Sequence, residues 1–138
     1  MAVERLSLVV FSGTMDKLMP VSIMAAGAVA MDQEVQLFLT FWGLMAFKKG
    51  AAQSLPISKE YEHMGAAMRA VMEEKRVPSF LDTLRTAKEL GNVKVNACAM
   101  TMDLFGLKIE DLEDVVDGVV GVGEFIDLAK EGKITLFI

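Results

Sequence analysis

Five short apolar runs, each separated from the next by a segment long enough to hold a helix, constrain this chain more than any other feature. The runs are residues 5–11, 34–41, 92–98, 118–121 and 133–138. The first, Arg5-Leu-Ser-Leu-Val-Val-Phe11, is rich in branched side chains and is bounded by Ser12-Gly13-Thr14, as a buried strand should be. Neighbouring strands joined by helix-length crossovers pair in parallel, and helices then cover the sheet. The fold class expected is α/β: a single three-layer α/β/α domain over residues 1–138, with a mostly parallel sheet of about five strands. No internal repeat or low-complexity linker interrupts it.

The connections carry their own signals. Asp16 is placed to cap the helix after the first strand, and Pro20 is expected in its first turn, where a missing N–H matters least. Ala25, Ala26, Ala28, Val29 and Ala30 make that helix apolar nearly all round. Its greasiest window, residues 18–31, has 14 residues, where a membrane span needs about 20, and Asp32 and Glu34 follow at once. No stable membrane insertion is expected. Residues 51–78 break the alternation: Pro56 and Pro78 bracket Tyr61, Met64, Met68, Val71 and Met72 at helical spacing, which predicts an inserted amphipathic helix. Ser79-Phe-Leu-Asp82 opens a helix through Leu90, with Gly91 as a left-handed stop. Short helical pieces at 102–105 and 110–114 and a last helix at 124–131, stopped by Gly132, complete the pattern.

Charge and cysteine content narrow the function. A net charge of −5 provides no basic footprint for a phosphate backbone, so nucleic acid is not an expected partner. One cysteine, Cys98, excludes an intrachain disulfide and a multi-thiolate zinc site, and together with the lack of a visible signal peptide it points to a reducing cytoplasm. One histidine, His63, excludes His-rich metal sites, and no cofactor motif is present.

In open parallel sheets the site lies outside the carboxyl ends of the strands. Four loops qualify: residues 12–17, 42–49, 98–103 and 121–124. Cys98 falls at one of them, directly after a strand and ahead of a helix start, where backbone N–H groups favour a thiolate; the alternative is an inert packing cysteine. Asp103 close behind it would raise the thiol pKa, while Lys17, Lys48 and Lys49 on other edge loops could supply the opposing charge or be merely solvated. Gly13, Gly43, Gly121 and Gly123 suit tight edge turns, and Gly121-Val-Gly123 ahead of a helix could cradle an anion. His63 reads as a surface residue, or as a partner reaching Cys98 across the fold. The eleven methionines, among them Met15, Met45, Met100 and Met102 near the edge, read as adaptable packing; Met64, Met68 and Met72 could alternatively form a soft Cu(I) site.

Two stretches, Leu39-Thr-Phe-Trp-Gly-Leu44 and Ala97-Cys-Ala-Met-Thr-Met-Asp103, resemble the DsrE/DsrF/DsrH-like sulfur-trafficking family. The likeness is to its longer-insert DsrE-like subgroup, often labelled peroxiredoxin-like, and covers essentially the whole chain. It implies a parallel α/β/α sandwich, a sulfur-carrying cysteine at Cys98, assembly into trimers or hexamers, and exchange of sulfane sulfur with TusA-like carriers and rhodanese-like proteins in the cytoplasm. The chain has no resolving cysteine and no Thr-x-x-Cys peroxidatic motif, so any disulfide step must use a second molecule.

Two functions follow as expectations. One is a cytoplasmic sulfur carrier or sulfurtransferase that holds a persulfide or thiosulfonate on Cys98, with Gly13, Lys17, Phe41, Trp42, Gly43, Met100, Gly121 and Gly123 as binding residues. The other is a non-catalytic module whose apolar edge pocket, built with Phe41, Trp42, Met45 and Met100, holds a small molecule or a partner helix. A 53% hydrophobic share in 138 residues also exceeds what one small interior needs, which predicts a closed homo-oligomer.

Overall fold

The computed structural model describes residues 3–138; residues 1 and 2, at the start of the expected domain, lie outside it. Five strands, β1 (Val3–Val10), β2 (Glu34–Leu39), β3 (Val93–Cys98), β4 (Gly118–Val120) and β5 (Gly132–Phe137), form one sheet in the order β4-β3-β2-β1-β5. Every pairing is parallel. The α/β class expected from the alternating runs is the observed one.

Register decides which residues share a face. Leu6, Leu8 and Val10 pair with Val35, Leu37 and Leu39, and these pair in turn with Val93, Val95 and Ala97. Side chains alternate along a strand, so all nine point to one face, where α1 (Met15–Ala30) and α4 (Phe80–Leu90) cover them with Leu18, Val21, Ala25, Phe80 and Leu84. Each buried Leu or Val there contributes about 1.5–3 kcal/mol. The opposite face carries α6 (Val122–Lys130), which packs Phe125 and Ala129 on Phe38, Cys98, Val9 and Val120. Toward the amino ends that face turns polar: Arg5 pairs with Glu34 at 3.0 Å, and the Asn96 amide donates to Gln36 Oε1 at 2.9 Å. The remaining helices are α2 (Phe41–Met45), α3 (Gly65–Glu74) and α5 (Ala99–Leu104).

Several local expectations are corrected. The second strand stops at Leu39, because residues 41–45 wind into α2. The N-cap of α1 is Thr14, and Asp16 lies inside the first turn, where it accepts from the Ser58 N–H at 2.9 Å instead of capping its own helix. Pro20 is the sixth helical residue, in the second turn, so α1 forgoes the bond its N–H would have made to Asp16. Gly91 is extended, with φ −157°, and is not a left-handed stop; a Cβ there would sit 2.6 Å from Val29 Cγ1, so close approach of α1 to the end of α4 favours glycine. Left-handed closures occur instead at Asp32, Arg76 and Gly106, each ending a helix with paired 6→1 and 5→2 hydrogen bonds.

Residues 51–78 hold two 3₁₀ turns, Ala51–Ser54 and Lys59–Met64, followed by α3. Tyr61 and Met64 therefore precede the α-helix, yet with Met68 and Val71 they line one apolar groove of about 470 Å³ against Ile57. Met72 does not line it, so the three methionines do not converge there. Gly65 is the buried residue of α3; most of its length is exposed. No helix among the described residues is long and apolar enough to cross a membrane.

Candidate functional site around Cys98

Cys98 ends β3 and occupies the N-cap position of α5, at the carboxyl edge of the sheet. Its side chain lies on the α6 face against Phe38 and Phe125, whose rings stack at 4.7 Å, and it is 5% exposed. Because Leu39 pairs with Ala97, the next residue along β2, Thr40, is set beside Cys98. Three residues after the cysteine, Thr101 is fully buried, and its Oγ1 lies 3.2 Å from Thr40 Oγ1. The Phe41 N–H donates to the same Thr101 oxygen at 3.1 Å.

These groups set the acidity of the thiol. Burial pushes the Cys98 pKa up; the hydroxyl and backbone N–H of Thr101, the Thr40 hydroxyl and the Met100 N–H outweigh it and hold the thiol below its ordinary value. Backbone N–H groups thus act as the strand-end position suggested, joined by two hydroxyls, and neither the edge lysines nor Asp103 are among the groups that shift the thiol. Lys48 and Lys49 are engaged with Leu112 and Asp111 by their backbones, and His63 is exposed on a 3₁₀ turn.

The turn between β2 and α2 is strained. Phe41 has φ +48°, unusual for a bulky residue. Its ring packs with Phe11 at 6.0 Å and Phe105 at 6.4 Å, and Trp42 packs on Phe105 at 6.0 Å. Beside this cluster a cleft of about 410 Å³ opens, walled by Phe11, Trp42, Met45, Leu55 and Pro56, with Gly13 and Lys17 in its lining.

A family model described as the DsrE/DsrF/DrsH-like family matches residues 2–70 and 51–137, which together span nearly the whole chain. The chain belongs to the DsrE/DsrF/DrsH-like family. It is 38% identical over 157 aligned positions to the uncharacterized protein YrkE of Bacillus subtilis, covering 98% of this chain and 97% of that protein. It is 29% identical to the sulfur carrier protein DsrE2 of Allochromatium vinosum, covering 98% of each. Among solved structures, the protein of unknown function MTH1491 from Methanobacterium thermoautotrophicum shares the fold, with a TM-score of 0.57 at 15% identity over 97% of this chain and 98% of that one.

Eight of the nine expected site residues of this DsrE/DsrF/DrsH-like chain divide among three places. Cys98 and the Met100 N–H share the thiol centre, and Phe41 joins them through its backbone N–H. Gly13, Lys17 and Trp42 line the neighbouring cleft, which Cys98, Phe41 and Met100 do not line. Gly121 and Gly123 begin α6 next to Val120, the β4 partner of Cys98, with open space where a Cβ would stand. Gly43 packs against backbone rather than a ligand. Thr40 and Thr101 were not singled out from the sequence. The available signal was the Cys98-x-x-Thr101 spacing, which brings the first and fourth residues of a helix start together. No group of three or more His, Cys, Asp or Glu side chains among the described residues could hold a metal ion.

Proposed function

We propose that this protein is a sulfur carrier or sulfurtransferase that loads sulfane sulfur on Cys98 and passes it to a partner's thiol. The observation that carries this reading is a lone cysteine at the carboxyl edge, surrounded by hydroxyl and N–H donors that favour its thiolate. Kinship to a relative named as a sulfur carrier supports it. In loading, Cys98 Sγ attacks the outer sulfur of a persulfidated donor: an S–S bond forms to Sγ, the donor's S–S bond breaks, and the donor departs as a thiolate with the electron pair. Release is the same exchange, with the acceptor thiolate attacking the terminal sulfur and Cys98 leaving. Tetrathionate would instead leave a thiosulfonate on Sγ and expel thiosulfate. Neither step requires a cofactor.

TusA-like carriers and rhodanese-like proteins are the proposed partners, in the cytoplasm. The proposed assembly is a homotrimer or a multiple of one. Exposed apolar side chains on α6 and β5, including Ile126 at 59% and Phe137 at 70%, support burial between copies.

Intact-mass measurement after incubation with a persulfidated carrier, thiosulfate or tetrathionate tests the reading. A gain of sulfur that dithiothreitol reverses and Cys98→Ser abolishes is expected; an unchanged wild-type mass, or the same gain in the Ser variant, refutes it. The cleft beside Trp42 and Met45 favours a second reading, a small-molecule binding module. On that reading ligand binding survives alkylation of Cys98.

A further inference from the structure

We infer that the cleft beside Trp42 is a binding site for an amphipathic organic anion, a molecule with an apolar body and one carboxylate or sulfonate head. This rests on the small-molecule reading of that cleft and goes beyond the sulfur chemistry of Cys98. Of three apolar grooves among the described residues, of about 410, 470 and 410 Å³, one carries an unpaired cation. Asp16 is the one charged residue lining the groove beside α3. Lys130 lines the groove between α6 and β5, but it pairs with Asp127 at 2.6 Å. Lys17 is the one charged residue lining the cleft beside Trp42; it is exposed and enters no ion pair among the described residues.

The local fold explains how this cation comes to stand alone. Asp16 and Lys17 are neighbours in sequence, but consecutive helical residues point about 100° apart. The Asp16 carboxylate accepts the Ser58 N–H at 2.9 Å and lines the groove beside α3, whereas Lys17 lines the cleft. Ser12 and Thr14 give the cleft a polar side next to Lys17; Trp42 and Met45 of α2, with Leu55 and Pro56, give it an apolar one. The walls are tied to one another. Met15 N–H donates to the Pro56 carbonyl at 2.9 Å, and Gly13 lies directly against the Trp42 carbonyl. A ligand therefore meets a formed site and pays little to order it.

These groups select the sign of the ligand. Trp42 is 54% exposed, and a bare indole gains from an apolar or aromatic cover. Its face also attracts cations, so the indole alone would favour an organic ammonium. The unpaired Lys17 ammonium on the same lining reverses that preference: it repels a cationic head and gives a carboxylate a charge-assisted hydrogen bond. An uncharged molecule of the same shape gains the apolar contacts only. Because Lys17 is exposed, the charge contribution is modest and weakens with salt.

Since Trp42 is the only tryptophan, its fluorescence reports occupancy of the cleft directly. The full chain is titrated with phenylbutyrate, phenylbutanol and phenylbutylammonium, three heads on one apolar body, at low and at high salt, with calorimetry giving the number of sites. One saturable site is expected, with phenylbutyrate bound about fivefold to tenfold more tightly than the alcohol and the ammonium weakest. High salt should narrow that gap. Lys17→Gln should remove the anion's advantage and leave the alcohol unchanged, Lys17→Arg should keep it, and Lys17→Glu should turn the preference toward the ammonium. The side chain is exposed, so these variants leave the core untouched. Equal affinity of wild type for anion and alcohol, or an advantage that survives in Lys17→Gln, overturns the anion inference while the cleft still stands as a small-molecule site. No saturable binding of any of the three overturns the small-molecule reading together with it.

Discussion

Gly43 lies so close to Val10 that a Cβ on it would sit 2.1 Å from the Val10 carbonyl oxygen. The same loops meet again at Gly13, where a Cβ would sit 2.4 Å from the Trp42 carbonyl oxygen. Both obstacles are backbone, which cannot swing aside as a flexible side chain would. The ends of β1 and β2 are thereby clamped together, with the Gly43 N–H donating to the Phe11 carbonyl at 2.8 Å. Gly43→Ala is expected to destabilise by about 3 kcal/mol. Gly27→Ala, mid-helix in α1 with open space around it, should stabilise by about 0.5–1 kcal/mol. Urea titration of both variants checks the contrast.

The depressed thiol pKa makes folding stability depend on pH. Between the folded and the unfolded pKa of Cys98, the unfolded chain holds a proton that the native state has released, so stability rises with pH across that window. The contribution is complete above the unfolded thiol pKa and is lost as pH falls through the folded one. The melting temperature of wild type minus that of Cys98→Ser should therefore rise through this window and flatten above it. A difference that stays constant across the window contradicts the depressed thiol.

Asp16 fastens residues 55–58 to α1. Burial pushes its carboxyl up, but the hydroxyl and N–H of Ser58 and the Thr14 hydroxyl hold it below the ordinary carboxylate value. Met15 N–H donates to the Pro56 carbonyl at 2.9 Å alongside. This contribution is present above the unfolded carboxylate pKa and fades as pH falls through the lower folded value. Asp16→Ala should cost about 1 kcal/mol, the low end for a bond to a half-exposed charged group. It should also speed proteolytic cleavage within residues 59–76, read by mass mapping of early fragments.

Assembly is checked by light scattering at micromolar concentration, where a trimer or a multiple of one is expected and a monomer refutes the proposal. Met64 is exposed and Met68 half-buried on the groove beside α3, so charges there leave the sheet core intact. If that groove is part of the contact, Met64→Asp with Met68→Asp shifts the particle to smaller species while the circular dichroism spectrum is preserved.

Legibility in the sequence followed the range of the interactions involved. The strand runs were readable because sheet burial requires consecutive branched and apolar residues, and Ser79 was readable because a capping hydroxyl serves its own helix: its Oγ accepts from the Asp82 N–H at 3.1 Å. Asp16 was misread because Ser58, 42 residues away, takes the carboxylate that local spacing assigned to a cap. Gly91 was misread because its constraint is Val29 on another helix rather than its own φ.

By itself the sequence determined the α/β class, the strand runs, the position of the lone cysteine at the carboxyl edge and the family resemblance that the comparisons bear out. All of these depend on periodicity and residue type along one stretch of chain. Only the tertiary structure decided what surrounds the sulfur. Thr40 and Thr101 are 61 residues apart, and the parallel register of β2 on β3 together with the left-handed Phe41 brings their hydroxyls together beside the end of β3. Buried hydroxyls thus join the backbone N–H groups that the strand-end position had suggested, and the edge lysines are not among the groups that lower the thiol. Hydrogen-bond donors act only at short range, and which of them lie near a given atom is set by how the strands pair, not by their order in the chain.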